Sequence, residues 1–268
     1  MESSAIREFN DYWKNFFSQQ VRDYNDVFNQ MPRSVKQYFD VGYLPEPFYG
    51  YLTEDMKEDV VLLLLNPGGI DIKVQQQFFN STAPETLIEL SNGFVRNRYL
   101  KWSKADYIKN EQFNYPGREW RRKKLSQCEK IVGHPIPFLH TVELFPFHSK
   151  NWIMNKNIKE DWLYDLESTQ LFVNAIEAIS KNKSSKYILG IGKDWIDVLS
   201  RFPEKFYLAN NEVIVGPKGG RAHSIYQFKL VSEKKALPII IYSGVSMNLP
   251  VNDVRALQVF KEYLEINR

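Results

Sequence analysis

A single cysteine, Cys128, in a chain of 268 residues has no partner for an internal disulfide and is too little for a cysteine-based zinc cluster. A reducing compartment, the cytoplasm, is the expected home. No apolar run approaches the roughly 20 residues that a membrane-spanning helix needs. A positively charged start followed by an apolar stretch is also missing, so no secretory leader is expected. No segment repeats and none is low in complexity. The glycines at Gly190 and Gly192 have the wrong spacing for a P-loop or a dinucleotide fingerprint. Neither sign of charge dominates: 35 Lys and Arg stand against 32 Asp and Glu, for a net charge of +3. That mild basicity permits a nucleic-acid partner without demanding one. No metal, cofactor or membrane partner is expected.

Hydrophobic residues make up 43% of the chain and charged residues 25%, the balance of a globular protein. The length suits one large α/β domain over residues 1–268, with a helical segment at 1–43 packed on it and a hairpin inserted at 205–231. Aromatics reach 15%, enough to build a core or to stack on bases.

The chain is organised around Val60–Leu65, six apolar residues without alternation, the pattern of a strand buried on both faces. It ends in Asn66-Pro67-Gly68-Gly69. Proline stops the ladder and the glycines allow a sharp turn or close approach to a ligand. A polar side chain is thereby expected at the carboxyl end of a central strand, where open α/β sheets bind ligands, although an ordinary turn has the same signature. Further strands are expected at Phe138–Phe147, Tyr187–Ile191 and Ile239–Tyr242. Helices are expected at Ala5–Met31, Pro84–Asn92, Leu171–Lys181, Asp194–Phe202 and Asn252–Ile266. A hairpin is expected over Phe206–Val231, with Val213–Val215 and Tyr226–Val231 flanking the glycine-rich stretch Gly216–His223. Strands alternating with helices predict a three-layer α/β/α fold around a central, mostly parallel, four-stranded sheet.

Cations interleave with aromatics from Arg96 to Lys130, which suits a surface tracking a phosphate backbone as well as a solvated helix face. Arg118, Arg121, Arg122 and Lys123 are the expected backbone contacts. Lys193, at a βα turn, and Lys218 and Arg221, on a glycine-rich loop, join them. Asp71 reads either as a carboxylate base or as a helix N-cap. Phe79 offers a ring face to a base or belongs to the core.

Leu44-Pro-Glu-Pro-Phe-Tyr-Gly50 followed by Leu64-Leu-Asn-Pro-Gly68 resembles the first active-site motif of the uracil-DNA glycosylase superfamily, in its Asn-Pro-Gly form. Val142-Glu-Leu-Phe-Pro-Phe-His-Ser149 is similar to the second-strand segment of bacterial members of that superfamily, some of whose relatives act on modified bases in phage defence. The resemblance implies a uracil-DNA glycosylase-like domain and a monofunctional DNA glycosylase that acts on flipped-out DNA as a monomer, in repair or antiviral defence. Asn66 matches the water-positioning residue. The segment after the last strand departs from the family: where many relatives carry His-Pro-Ser, this chain has Ser243-Gly-Val-Ser246, which points to a modified base rather than uracil, or to loss of activity. Met247 stands where relatives place an apolar wedge.

Chemistry at the strand ends completes the expectation. Breaking a glycosidic bond needs a placed water and donors for charge developing on the leaving base. Asn66, an amide, orients water rather than deprotonating it. His148 is the expected proton donor, and Glu143 accepts from an exocyclic amino group. Pro67, Gly68, Gly69, Phe145, Ser149, Ser243, Ser246 and Asn248 complete the expected substrate contacts. The alternatives are a non-catalytic nucleic-acid-binding member of the fold and a hydrolase of free nucleosides or nucleotides.

Overall fold

Why Val60–Leu65 carries no alternation is visible in its two sides. Val61, Leu63 and Leu65 are buried in one hydrophobic core, and Val60, Leu62 and Leu64 in a second on the other face of the sheet. A computed structural model of the chain describes residues 4–18, 39, 47–49, 52–69, 116–149, 161–216, 220–244 and 247–265. Its elements, in chain order, are α1 (Ser4–Ser18), β1 (Phe48–Tyr49), β2 (Met56–Leu64), α2 (Pro116–Val132), β3 (Leu139–Glu143), α3 (Asp161–Tyr164), α4 (Glu167–Asn182), β4 (Ser185–Ile191), α5 (Asp194–Ser200), β5 (Phe206–Gly216), β6 (Gly220–Leu230), β7 (Ile239–Ser243) and α6 (Val254–Tyr263).

The strands form one sheet in the order β1-β3-β2-β4-β7-β6-β5. The four central strands are parallel, as expected. Their carboxyl ends, with Asn66 and Ser243, therefore lie on one edge. The expected count of four is too small. Phe48 and Tyr49 add an antiparallel edge to β3, and the hairpin expected as an insertion continues the same sheet, β6 pairing antiparallel with β7. One rung crosses the middle: Val142, Leu63, Gly190, Ile241 and Tyr226 are register neighbours in turn. Gly190 lets the neighbouring strands' side chains close over it: a Cβ there would stand 2.5 Å from Ile241 Cδ1 and 3.3 Å from Leu63 Cβ, so the Ile241 side chain would have to move aside.

Helices cover both faces. On one, Ile6, Phe9 and Trp13 recur at helical spacing along α1, are buried, and meet α4 where the Phe9 and Phe172 rings stand 5.7 Å apart. Trp195, Val198 and Leu199 of α5 share that core. On the other face, Leu125, Cys128 and Ile131 of α2 pack with Ala256, Val259 and Phe260 of α6. Burying one such side chain contributes about 1.5–3 kcal/mol. The α6 helix starts two residues later than expected because Asp253 caps it, its carboxylate accepting from the Ala256 amide at 3.0 Å. The expected continuation of α1 to Met31 and the helix at Pro84–Asn92 lie outside the described residues.

Candidate functional site at the carboxyl edge

Asn66 follows β2 at a corner held from several sides. The Leu144 and Phe145 amides donate to the Leu64 and Leu65 carbonyls, at 2.8 and 2.9 Å, carrying the β2–β3 ladder past the strand end. The Trp195 indole donates to the same Leu64 carbonyl at 3.1 Å. Beyond the turn, the Ser149 amide donates to the Gly68 carbonyl at 3.0 Å. Gly68 adopts a φ of +77°, the left-handed region that the Asn-Pro-Gly-Gly turn needs. The Asn66 side-chain amide donates to Ser149 Oγ at 2.9 Å and to the Ser149 carbonyl at 3.4 Å. That fixes the amide plane. Its Oδ1 receives no hydrogen bond from a described residue, and Asn66 is half-buried. The arrangement thus offers one aimed acceptor at the strand end.

The other expected contacts divide. Pro67, Gly68 and Glu143 are half-buried, Gly69 is exposed, and Ser149 is buried beneath Asn66. Ser243 and Met247 are half-buried and Asn248 is exposed on the same edge. Met247 packs against both cores. Phe145 is 1% exposed and packs in the core, with the rings of Phe39, Phe147 and Trp162 at 4.5, 5.1 and 5.6 Å. His148 is 2% exposed. Asp71, Phe79, Ser246 and Lys218 lie outside the described residues.

Of the expected phosphate contacts, Arg118, Arg121, Arg122 and Lys123 share α2, with Arg122 and Lys123 exposed. Lys193 is exposed ahead of α5, and Arg221 lies in β6. The glycine turn between β4 and α5 does not serve an anion. The Gly192 amide is taken by the Tyr242 carbonyl at 2.9 Å, and a Cβ on Gly192 would strike the Leu65 side chain.

The structure brings residues to this edge that sequence reading misses. Ser224 is the register partner of Ser243, so the hairpin returns His223 beside the segment that lacks a histidine of its own. The His223 ring stands 5.5 Å from that of Tyr242, and its Nε2 lies 3.6 Å from an Asp253 carboxylate oxygen. Burial, and after it the Asp253 charge, raises the Tyr242 phenol above its ordinary pKa. No local signal in the sequence marks His223; only strand pairing does. Lys124 falls within the basic stretch expected at the surface and is instead 0% exposed. Its Nζ donates to the Met247 carbonyl.

The other two histidines lie toward the amino end of the sheet. His134 borders a pocket of about 650 Å³ shared with Glu129, Lys130 and Pro137. His140 is paired with Asp59 at 3.1 Å. Among the described residues, no group of three His, Cys, Asp or Glu side chains could hold a metal ion, and no helix is long and apolar enough to cross a membrane. Comparison of the chain with protein-family models, with curated proteins and with solved structures finds no match.

Proposed function

We propose that this chain is a DNA glycosylase-like enzyme with the three-layer architecture of the uracil-DNA glycosylase superfamily, hydrolysing the N-glycosidic bond of a flipped-out, modified base. One observation carries the reading. At the carboxyl end of a doubly buried central strand, the Asn66 amide is held by Ser149 with its Oδ1 left as an aimed acceptor. In the proposed reaction a water accepted at Oδ1 is directed at the sugar C1′. Its oxygen bonds to C1′ as the C1′–N bond breaks, the base departs with the bonding pair and takes up a proton, and the proton that the attacking water gives up passes to solvent. His148 is the proposed donor, and Glu143 the acceptor that selects bases bearing an exocyclic amino group. The exposed cations Arg122, Lys123 and Lys193 supply the attraction for a polyanion.

The burial of His148 and Phe145 favours a second reading, a nucleic-acid-binding member of the same fold without catalysis. Duplex and single-stranded DNA carrying a panel of modified bases, treated with the protein and then with alkali to cut abasic sites, separates the two. Cleavage of one such base, with Asn66→Ala slowing the single-turnover step by roughly 10²-fold and sparing DNA binding, is the expected result. A fully active Asn66→Ala would end the water-orienting role and move the search for a base to Asp71. Binding without cleavage of any substrate would establish the second reading instead.

A further inference from the structure

The loop after β7 is held by one face of α2. Trp120, Lys124 and Gln127 recur at helical spacing on that face. The Lys124 ammonium lies 5.2 Å from the Trp120 ring centroid, donates to the Met247 carbonyl and approaches Gln127 Oε1 at 3.4 Å. Gln127 Nε2 donates to Asn248 Oδ1 at 3.2 Å, and Gln127 Oε1 accepts from the Leu249 amide at 3.3 Å. Three consecutive loop residues are therefore fixed by two side chains one helical turn apart. Among the described residues no carboxylate pairs with Lys124. A buried amine that no carboxylate among the described residues balances is a poor device for stability, because apolar replacements of buried charges are often neutral or stabilising. Its one evident product is the position of the loop.

We infer that Lys124 and Gln127 form a clamp that positions Met247–Leu249 against the strand-end site, tying the helix that carries the basic surface to the loop that faces the substrate. This rests on the glycosylase reading. Lys124 touches no reacting atom and is a positioning residue. Binding of a polyanion along Arg122 and Lys123 is in this way linked mechanically to the loop after β7, since the same helix serves both.

Two variants test the clamp. Lys124→Met keeps the length of the chain without the donor, and Gln127→Met removes the Leu249 acceptor. Amide hydrogen exchange in the peptide containing residues 247–249 needs no substrate and is read first. Exchange about tenfold faster in that peptide in each variant, with exchange in β2 and β4 no faster than in the wild type, is expected. On whichever base the wild type cleaves, kcat should then fall about tenfold with KM within about twofold. Unchanged exchange in both variants overturns the clamp whatever the activity, and faster exchange with unchanged kcat overturns its positioning role. A wild type that cleaves nothing retires the glycosylase reading, and exchange alone then decides whether the clamp exists.

Discussion

Two buried polar groups occupy opposite faces and opposite ends of the sheet, and they are built on different plans. Toward the amino end, Asp59 and His140 are 2% and 7% exposed and face each other at 3.1 Å on adjacent strands, β2 and β3. Acid and base are matched within rigid elements, with the Phe138 ring 4.7 Å from the imidazole. At the carboxyl edge, Lys124 has a main-chain carbonyl, a glutamine and an indole for company, and what it holds is a loop. The first arrangement ties two strands together through His140 Nε2, and His140 Nδ1 is buried without a hydrogen-bond partner among the described residues. The second uses a buried cation to place a segment, an arrangement more at home near a site than in a core.

Breaking the Asp59–His140 pair should produce the largest effect. His140→Ala leaves the Asp59 carboxylate buried without its partner and should cost about 3–5 kcal/mol of stability, seen as a shift in the urea midpoint. Replacing both, Asp59→Leu with His140→Phe, should cost less than the sum of the singles. Single losses below about 1 kcal/mol would mean that the two ends of the sheet are not built differently after all.

A smaller effect should come from pH. Burial pushes the Lys124 amine down from 10.5 to about 8, while burial pushes the neighbouring Cys128 thiol up from 9.0 to about 12, each being partly offset by the other's charge. For Lys124 the unfolded chain keeps a proton that the folded chain releases, so stability rises as pH climbs from about 8 to 10.5. For Cys128 the folded chain keeps the proton, so stability is whole below 9.0 and is lost as pH rises toward about 12. Between pH 8 and 9 only the lysine contributes. Denaturant midpoints should therefore climb there by on the order of 1 kcal/mol, level off, and fall above pH 10.5. Lys124→Met should flatten the climb between 8 and 9; a climb that survives it would assign the titration to another group.

The smallest effect should appear in salt. If α2 tracks phosphates, Arg122→Ala with Lys123→Ala should reduce the log–log salt slope of DNA affinity by about 0.7–0.9 for each phosphate no longer neutralised. His140→Phe, toward the amino end, should leave that slope alone. Equal slopes for wild type and the α2 double variant would remove α2 from the interface.

How far the sequence can be read follows the same division between local and distant causes. The run Val60–Leu65 announces its doubly buried strand because both faces leave their mark on six adjacent residues. The parallel order of the four central strands follows from alternation with helices. The hairpin is legible in two pieces that are not partners: Val213–Val215 near its turn, where Val213 and Ile214 pair with Ser224 and His223, and Tyr226–Val231 at its base, where the partners are residues 206–211. A bulge lies between the pairs Leu208–Phe228 and Asn210–Gln227, which flips the side-chain alternation of β5 and hides its first half. Lys124 sits in a run of cations and reads as exposed; its burial is decided by Met247, 123 residues later. His223 precedes Ser243 by twenty positions and meets it only through strand pairing. Asn66 is legible because glycines and proline punctuate the chain beside it, whereas the burial of Phe145 depends on Phe39 and Trp162, which no local pattern connects.

The bonds that hold the end of β2 also decide how it is hydrated. The Leu64 carbonyl accepts from both the Leu144 amide and the Trp195 indole, so both lone pairs are occupied. The Leu65 and Gly68 carbonyls each hold an amide from the β3 side. A solvent molecule arriving at this corner finds the main chain largely closed to it. On the proposed reading, a water bound at Asn66 Oδ1 would take the direction of its protons from that side-chain oxygen rather than from the Leu64, Leu65 or Gly68 carbonyls.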